Sequence, residues 1–418
     1  IMPNLSKSSS SWLRDYTGII LLIAVLVNLT SGFANMTHSL TTPPMQETLS
    51  LNYTQIGILL TIASVVRMLS NLVFGTLAAR YGSRIIVGVG VIGTGISMVV
   101  LGSSQSFQMS LVAMAALGFT SGAALTPMMG LLSSWFNLND RGTAAGLAAA
   151  GGSASFMIAG VLVPQLDAYN PDVGWRYSWY IFGIIIFCAG IICLAYLKDR
   201  PAKHGQLLAK GHPNPLKQSW PVEAFRSPLI WISAGMAFCA GWTHGIFSTY
   251  FGSYLAQEGI SLMVAGQLLI LIGALTIPSS ILWGWLSDIL DRGRAFQYSF
   301  FLQSIAFGFF WFWPVPISFL LGSALLGLTL RATYTICAAS SSDYVPLKFS
   351  PAAFGIMSVG AGLGTSISPV IGGAIADATG ELGWTFGIAL FSTIVGTIGG
   401  YVLHVAKMHN TKNVEVCS

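Results

Sequence analysis

The sequence predicts an all-α membrane protein in which twelve transmembrane helices form two pseudo-symmetric six-helix bundles. Two observations lead to this prediction: the composition is strongly apolar, and the chain repeats itself after 209 residues. Of the 418 residues, 54% are hydrophobic and only 8% are charged. Because a soluble protein carries charge on roughly a quarter of its residues, this composition indicates a chain that lies in a lipid bilayer. The net charge of +5 comes from basic residues scattered among loops, which argues against a nucleic-acid partner.

Apolar segments of about 20 residues, the length that crosses a bilayer, recur along the whole chain. The predicted spans are 16–41, 53–78, 84–103, 107–135, 142–166, 176–197, 228–254, 263–287, 295–312, 316–341, 352–376 and 383–406. The longest polar connection is rich in lysine and arginine and lies in the middle of the chain. We therefore predict an N-terminal bundle over 1–197, a cytoplasmic linker over 198–227 and a C-terminal bundle over 228–418.

The distribution of lysine and arginine predicts the orientation, because these residues concentrate on the cytoplasmic side of membrane proteins. If both termini are cytoplasmic, every basic residue lies on that side except Arg67, Arg176 and Arg331. Arg176 then lies outside, and the other two lie within spans. The opposite orientation would reverse this bias. We expect an inner or plasma membrane protein with both termini in the cytoplasm.

The internal repeat is visible in the glycines. A shift of 209 residues superposes the following pairs without a gap: Gly32 and Gly241, Gly57 and Gly266, Gly75 and Gly284, Gly118 and Gly327, Gly146 and Gly355, and Gly151 and Gly360. Because six spans separate the two copies, both copies have the same orientation, and the axis that relates them runs along the membrane normal.

Each half carries a glycine followed by a basic turn after its second span. The residues of these turns are Gly75, Arg80, Gly82 and Arg84 in the first half, and Gly284, Asp288 and Arg292 in the second. These turns resemble the signature between helices two and three of the major facilitator superfamily, a glycine followed by Asp-Arg-x-Gly-x-Arg. The first copy departs from that signature, because Ala79 stands where the family usually has aspartate.

The resemblance to this superfamily covers nearly the full chain and implies both a fold and a mechanism. The fold would be two six-helix bundles around a central cavity that holds one substrate site near the middle of the membrane. Transport would proceed by rocking between inward-open and outward-open states. The seven turn residues would form a cytoplasmic latch of the outward-open state, and the missing acid at Ala79 would weaken its N-terminal half.

Arg67 and Arg331 are the candidate substrate-binding residues, because each lies near the middle of a predicted span. A charge at that depth costs roughly 2.5–3.5 kcal/mol on insertion scales, and arginine cannot lose its proton to escape the cost. The alternative is a structural pair with a buried carboxylate. All 14 acidic residues lie in loops or at helix ends, which favours an anionic substrate instead. The repeat places Thr276 opposite Arg67 and Gly122 opposite Arg331, so both arginines break the internal symmetry.

Other polar residues extend this candidate site. Asn35 belongs to a polar stripe on the first span that also contains Asn28, Ser31 and His38. This stripe either lines a cavity or forms hydrogen bonds between helices. Tyr334 lies three residues after Arg331 and therefore on the same helix face.

The seventh span carries Trp242 and His244, which we also assign to substrate binding. Histidine titrates near neutral pH, so His244 is a candidate for proton coupling; the alternative is a neutral, hydrogen-bonded histidine. Asp343, at the cytoplasmic end of the tenth span, is a second proton-coupling candidate or a residue of a helix end or gate.

These observations predict a secondary active transporter of a small anion, with mono- and dicarboxylates first and sulfonates or nitrate-like ions also compatible. Proton coupling and anion exchange both remain open. The alternatives are an efflux transporter of amphipathic drugs and, in another class, a membrane sensor that does not transport. We expect no enzyme, since no HExxH or GxSxG motif occurs. We also expect a monomer in the bilayer, without a cofactor or a metal.

Overall fold

The computed structural model describes residues 16–136, 140–199, 222–341, 343–346 and 349–417, and within these ranges helices are joined by turns and short irregular segments, without a strand. The first half forms α1 Tyr16–Leu49, α2 Tyr53–Tyr81, α3 Ser83–Gly102, α4 Phe107–Trp135, α5 Arg141–Tyr169 and α6 Gly174–Tyr196. The second half forms α7 Val222–Arg226, α8 Pro228–Gln257, α9 Leu262–Leu290, α10 Arg292–Phe312, α11 Pro316–Thr329, α12 Ala332–Ser340, α13 Ser350–Thr379 and α14 Gly383–Cys417. The predicted all-α class is confirmed. Most of the predicted linker lies outside the described residues.

Eleven spans in the described part of the chain are long and apolar enough to cross a membrane, one of them formed jointly by α11 and α12. The remaining predicted span is α10, which begins with two arginines and is rich in aromatic residues. Four of its aromatic side chains nevertheless enter the protein core, where Phe296, Phe300, Phe307 and Phe310 are fully buried. Together with α10, the described helices account for the twelve predicted spans.

The tenth predicted span differs from the prediction of one continuous helix. It consists of α11 and α12, and the helix is interrupted at Leu330 and Arg331. Arg331 has backbone angles φ −96° and ψ −7°, which place it in the bridge region rather than in a regular helix.

The repeat is confirmed by helix bounds and by contacts. Helix α2 begins at Tyr53 and α9 begins at Leu262, and both helices are 29 residues long. In the first half Ser70 Oγ donates a hydrogen bond to the Phe119 carbonyl at 2.5 Å. The residues 209 positions later make the same contact, with Ser279 Oγ donating to the Leu328 carbonyl at 2.7 Å. Equivalent residues therefore occupy equivalent places in the two halves.

The described residues group into two compact units that interleave along the chain. Among the described residues, the first unit comprises 16–35, 66–136, 140–155 and 176–199, and the second comprises 36–65, 156–175, 222–341, 343–346 and 349–417. Parts of α1, α2 and α5 thus belong to the same unit as the second half. This grouping by packing does not decide the predicted division at the linker, which stays a prediction.

Within the second unit, glycines allow very close crossings between helices. A Cβ atom on Gly57 would lie 2.3 Å from the Pro369 carbonyl, and one on Gly266 would lie 2.3 Å from the Gly160 carbonyl. The repeat relates these two crossings, since Gly57 pairs with Gly266 and Gly160 pairs with Pro369. Both crossings lie toward the ends of α2 and α9 that are remote from the basic turns, and no larger residue fits at either glycine.

Candidate functional site

In the first unit, the structure brings together two of the predicted substrate-binding residues, Arg67 on α2 and Asn35 on α1. The Arg67 guanidinium donates a hydrogen bond through Nη1 to Asn35 Oδ1. Asn35 Nδ2 in turn donates to the Ser31 carbonyl of its own helix at 2.6 Å. Because the amide nitrogen is engaged within α1, the amide oxygen is oriented toward the arginine. Both side chains are only partly buried.

The backbone around Arg67 is held by close packing between α2 and α4. A Cβ atom on Gly122 would lie 2.8 Å from the Arg67 carbonyl and 2.7 Å from Ser70 Oγ. The absence of a side chain at Gly122 therefore lets the two helices touch directly at this level. Arg67 consequently projects from a helix pair whose spacing is tightly determined.

Of the four residues in the polar stripe of α1, the two asparagines form side-chain hydrogen bonds, and Ser31 and His38 are buried. Asn28 Nδ2 donates to the Ala24 carbonyl at 2.9 Å and contacts Met129 Sδ at 3.9 Å. His38 belongs to the second unit, whereas Asn28, Ser31 and Asn35 belong to the first. The stripe therefore serves both helix packing and the surroundings of Arg67.

In the second unit, Arg331 lies at the interruption between α11 and α12 and is partly buried. Within the part of the chain that the structure describes, its side chain forms no hydrogen bond and no ion pair. Tyr334, one turn further on α12, is 40% exposed. A guanidinium at this depth keeps its charge, so the site favours an anion that would balance it.

Trp242 and His244 lie on α8, also in the second unit, and both are partly buried. The Trp242 ring packs against Phe238 with a centroid distance of 6.0 Å. Its Nε1 atom is buried and has no hydrogen-bond partner among the described residues. A buried donor without a partner costs about 1–3 kcal/mol, and a ligand oxygen would remove that cost.

The first basic turn contains a carboxylate that the sequence analysis did not anticipate. Asp199, which follows α6, accepts a hydrogen bond from the Arg84 backbone N–H at 2.7 Å. The Arg84 side chain donates to the Leu194 carbonyl from Nε at 2.9 Å and from Nη2 at 2.6 Å. An acid from the end of α6 thus lies at the turn where Ala79 lacks one. Arg80 is exposed, with its guanidinium carbon 5.5 Å from the centroid of the Tyr81 ring.

The second basic turn is held by ion pairs centred on Arg292. This side chain contacts Asp288 Oδ1 at 2.6 Å through Nη1 and Asp343 Oδ2 at 2.7 Å through Nε. Nη1 also donates to Ser287 Oγ at 2.6 Å. The structure therefore places Asp343 with the predicted gating residues, and its proposed part in proton coupling stays a prediction. A Cβ atom on Gly284 would lie 3.7 Å from Thr335 Cγ2 of α12, and one on Gly75 would lie 3.7 Å from Thr126 Cγ2 of α4.

Asp291, between α9 and α10, is a second carboxylate of these turns that the sequence analysis did not single out. Its backbone angles are φ 82° and ψ 146°, nearly those of Gly82, at φ 91° and ψ 145°. The Asp291 carboxylate contacts Lys407 Nζ at 2.6 Å and His404 Nδ1 at 3.2 Å. Burial raises the pKa of Asp291, but hydrogen bonds from Lys407 and His404 outweigh it, so the pKa lies below its ordinary value. The sequence repeat could have identified this residue, because the shift of 209 residues aligns Asp291 with Gly82 and so places a non-glycine where the first half has a glycine.

Comparisons with known proteins place these features in a family. The sequence model that describes the Major Facilitator Superfamily matches residues 24–316 and 259–415 of this chain. The probable sulfoacetate transporter SauU of Cupriavidus necator is 22% identical over 395 residues, which cover 89% of this chain and 90% of that protein. The probable hexose phosphate transport protein of Chlamydia trachomatis is 28% identical over 174 residues, 41% of this chain. That match spans only 37% of the Chlamydia protein.

Among solved structures, the fold is similar to a bacterial homolog of the human lysosomal transporter Spinster in an inward-facing and unoccupied conformation. The TM-score is 0.74 at 15% identity, and the match covers 93% of this chain and 96% of that one. At this identity the likeness concerns the fold. The helical repeat, the basic turns and the family match lead to one conclusion: the chain belongs to the Major Facilitator Superfamily and is an integral, multi-pass, non-enzymatic membrane transporter.

Proposed function

We propose that this transporter carries a small organic anion, with a carboxylate or sulfonate head, by secondary active transport. The observation that supports it most directly is the charge on Arg331, which no described residue balances. Arg67, the second arginine within a span, donates a hydrogen bond to the neutral side-chain amide of Asn35. A planar guanidinium binds carboxylate, sulfonate or phosphate through two parallel hydrogen bonds.

Two further donors in the second unit suit the same class of ligand. The buried Trp242 Nε1 offers an N–H group that lacks an acceptor among the described residues, and Tyr334 offers a hydroxyl one turn from Arg331. The names of the two reported relatives refer to a sulfonated carboxylate and a sugar phosphate. All of these solutes are small anions, which supports the proposed class without selecting one substrate.

The proposed cycle is alternating access with the basic turns on the cytoplasmic side. His244 carries the coupling proton in a symport cycle, whereas exchange of one anion for another requires no titrating residue. The efflux of amphipathic cations is disfavoured, because the two arginines would repel a cationic drug at the membrane midplane.

The test is thermal unfolding of the detergent-purified protein against a panel of solutes. The panel contains lactate, pyruvate, oxalate, malonate, succinate, nitrate, sulfoacetate and phosphate, with neutral sugars and cationic dyes as controls. A ligand at about 100 times its dissociation constant stabilises the protein by about 2.7 kcal/mol.

We expect one class of anion to raise the melting temperature of the wild type, and Arg67→Ala and Arg331→Ala each to reduce that shift strongly at the same anion concentration. Arg226→Ala is the matched control, because Arg226 is exposed on α7 and should leave the shift unchanged. If only dyes or sugars stabilise the protein, or if both arginine variants respond to anions like the wild type, the proposal is wrong.

A further inference from the structure

The interruption of the tenth membrane span occurs in only one copy of the repeat. In the first half, α4 runs from Phe107 to Trp135 and passes through Gly122 without a break. In the second half, the helix is broken at Leu330 and Arg331, and Arg331 is the repeat partner of Gly122. The break therefore coincides with the arginine that replaces this glycine.

Packing explains why an arginine at this position requires a break. A Cβ atom on Gly122 would lie 2.7 Å from Ser70 Cβ and 2.8 Å from the Arg67 carbonyl, so this helix position admits no side chain. The second half keeps the same close approach just before the break, because a Cβ atom on Gly327 would lie 2.8 Å from Leu275 Cβ. A continuous helix would therefore direct the Arg331 side chain into α9.

A break leaves backbone carbonyls without their regular partners four residues later. The carbonyls of Gly327, Leu328 and Thr329 would normally accept from residues 331, 332 and 333. Buried carbonyls without a partner are costly in a membrane protein, where lipid offers no hydrogen bond. The structure must therefore supply other donors for the break to persist.

Three side chains on neighbouring helices supply such donors. On α9, Ser279 Oγ and Trp283 Nε1 each lie 2.7 Å from the Leu328 carbonyl. On α10, Gln303 Nε2 lies 3.0 Å from the Thr329 carbonyl. The Thr276 hydroxyl lies 3.3 Å from the Gly327 carbonyl, but its shorter hydrogen bond, at 2.7 Å, goes to the Ile272 carbonyl of its own helix. The three donor residues are at most 3% exposed.

Two of these donors are specific to the half that contains the break. Ser279 repeats Ser70, which makes the same bond in the unbroken half. Trp283 replaces Phe74, whose ring has no donor and instead packs against Phe119 at 5.2 Å. Gln303 replaces Thr94, whose hydroxyl donates to the Gly90 carbonyl of its own helix at 2.8 Å.

We propose that Trp283 and Gln303 are positioning residues of the anion site. They stabilise the interruption of the helix at Leu330 and Arg331. They thereby keep the Arg331 side chain directed away from α9 and available to the substrate. This inference rests on the proposed function, because it presumes that Arg331 binds the anion. Neither residue needs to contact the anion itself.

The test measures anion affinity for Gln303→Met and Trp283→Phe, each in the wild-type background and in the Arg331→Ala background. The ligand is the anion that stabilises the wild type most strongly. In the wild-type background we expect Gln303→Met to weaken binding about 5- to 30-fold, equivalent to about 1–2 kcal/mol. We expect a smaller loss for Trp283→Phe, because Ser279 still donates to the same carbonyl. In the Arg331→Ala background neither change should weaken the residual binding further.

Two matched controls lie on the same helices as the tested residues. Trp285→Phe removes an indole that is 60% exposed on α9, and Gln297→Met removes a partly buried amide one and a half turns before Gln303 on α10. Both controls should bind the anion like the wild type. Thermal unfolding without ligand measures how far each variant changes stability alone.

The outcomes separate this inference from the proposed function. If Arg331→Ala binds the anion like the wild type, the proposed anion site fails, whatever Gln303 does. If Arg331→Ala weakens binding but Gln303→Met and Trp283→Phe leave affinity unchanged, the positioning role is refuted and the anion site stands. Equal losses in both backgrounds would also refute the positioning role, because they would indicate general destabilisation.

Discussion

The backbone of Asp291 allows a sharp test of how the second basic turn is held. At φ 82° and ψ 146°, this residue occupies a region that is almost exclusive to glycine, and a non-glycine residue there costs about 1–3 kcal/mol. The side chain offsets that cost through its contacts with Lys407 and His404 and through a hydrogen bond from the Gly293 N–H at 3.2 Å. Different substitutions at this residue separate the two effects.

Asp291→Ala keeps the unfavourable backbone and loses the carboxylate, whereas Asp291→Gly loses the carboxylate and relieves the backbone. Lys407 is 41% exposed and Asp291 22% exposed in their side chains, so their ion pair contributes at most about 1 kcal/mol. The lost hydrogen bond to the N-terminus of α10 costs about 1 kcal/mol more in the alanine variant, but only a few tenths of a kcal/mol in the glycine variant. We therefore expect the glycine variant to be more stable than the alanine variant by about 1–3 kcal/mol.

The assay is equilibrium unfolding of both variants and the wild type in detergent, with Gly82→Ala as the corresponding change in the first turn. Gly82→Ala should be destabilised, because the new Cβ atom would also lie 2.7 Å from Asp199 Oδ2. The reasoning would be refuted if Asp291→Ala and Asp291→Gly unfolded with the same free energy.

The pH dependence of stability is a second test of how Asp291 stabilises the same turn. The pKa of its carboxyl is lower in the folded protein than its ordinary value, because hydrogen bonds from Lys407 and His404 outweigh the effect of burial. Its contribution to stability is therefore complete above the unfolded pKa of about 3.9 and is lost as the pH falls through the folded pKa. Asp291→Gly should lose less stability than the wild type on acidification through this range.

Two further predictions concern the ends of the helices remote from the basic turns. Gly57→Ala should destabilise the protein by about 1–3 kcal/mol through overpacking, because a Cβ atom there would lie 2.3 Å from a carbonyl of α13. Gly355→Ala is the control and should not destabilise the protein, because there is open space around Gly355. Equal unfolding free energies of the two variants would contradict this prediction. Asp377 accepts from the Thr54 N–H at 2.8 Å and so caps α2 from α13, and Asp377→Ala should cost about 1–2 kcal/mol. Asp172→Ala is its exposed control, and hydrogen exchange at the start of α2 would report the lost cap directly.

Part of the candidate site was predictable from sequence. An arginine within an apolar span is a local signal, because the cost of its charge at that depth follows from the apolar residues of the same segment. Arg67 and Arg331 were therefore identified without any structure, and so was the turn that contains Arg292. Which groups would lie beside them was not predictable, because Asn35 and Asp343 reach these arginines only through the packing of separate helices.

The sequence by itself determined the membrane class, the twelve spans and the repeat, because hydropathy and periodic glycines are properties of each segment alone. Only the tertiary structure decided that the tenth span breaks at Arg331. Hydropathy cannot distinguish a broken span from a continuous one, because the residues of both are equally apolar. The break depends on the distance between α11 and α9 and on donors such as Gln303, which lie far from it along the chain. The placement of Asp199 at the first turn was decided in the same way, by contact between distant segments.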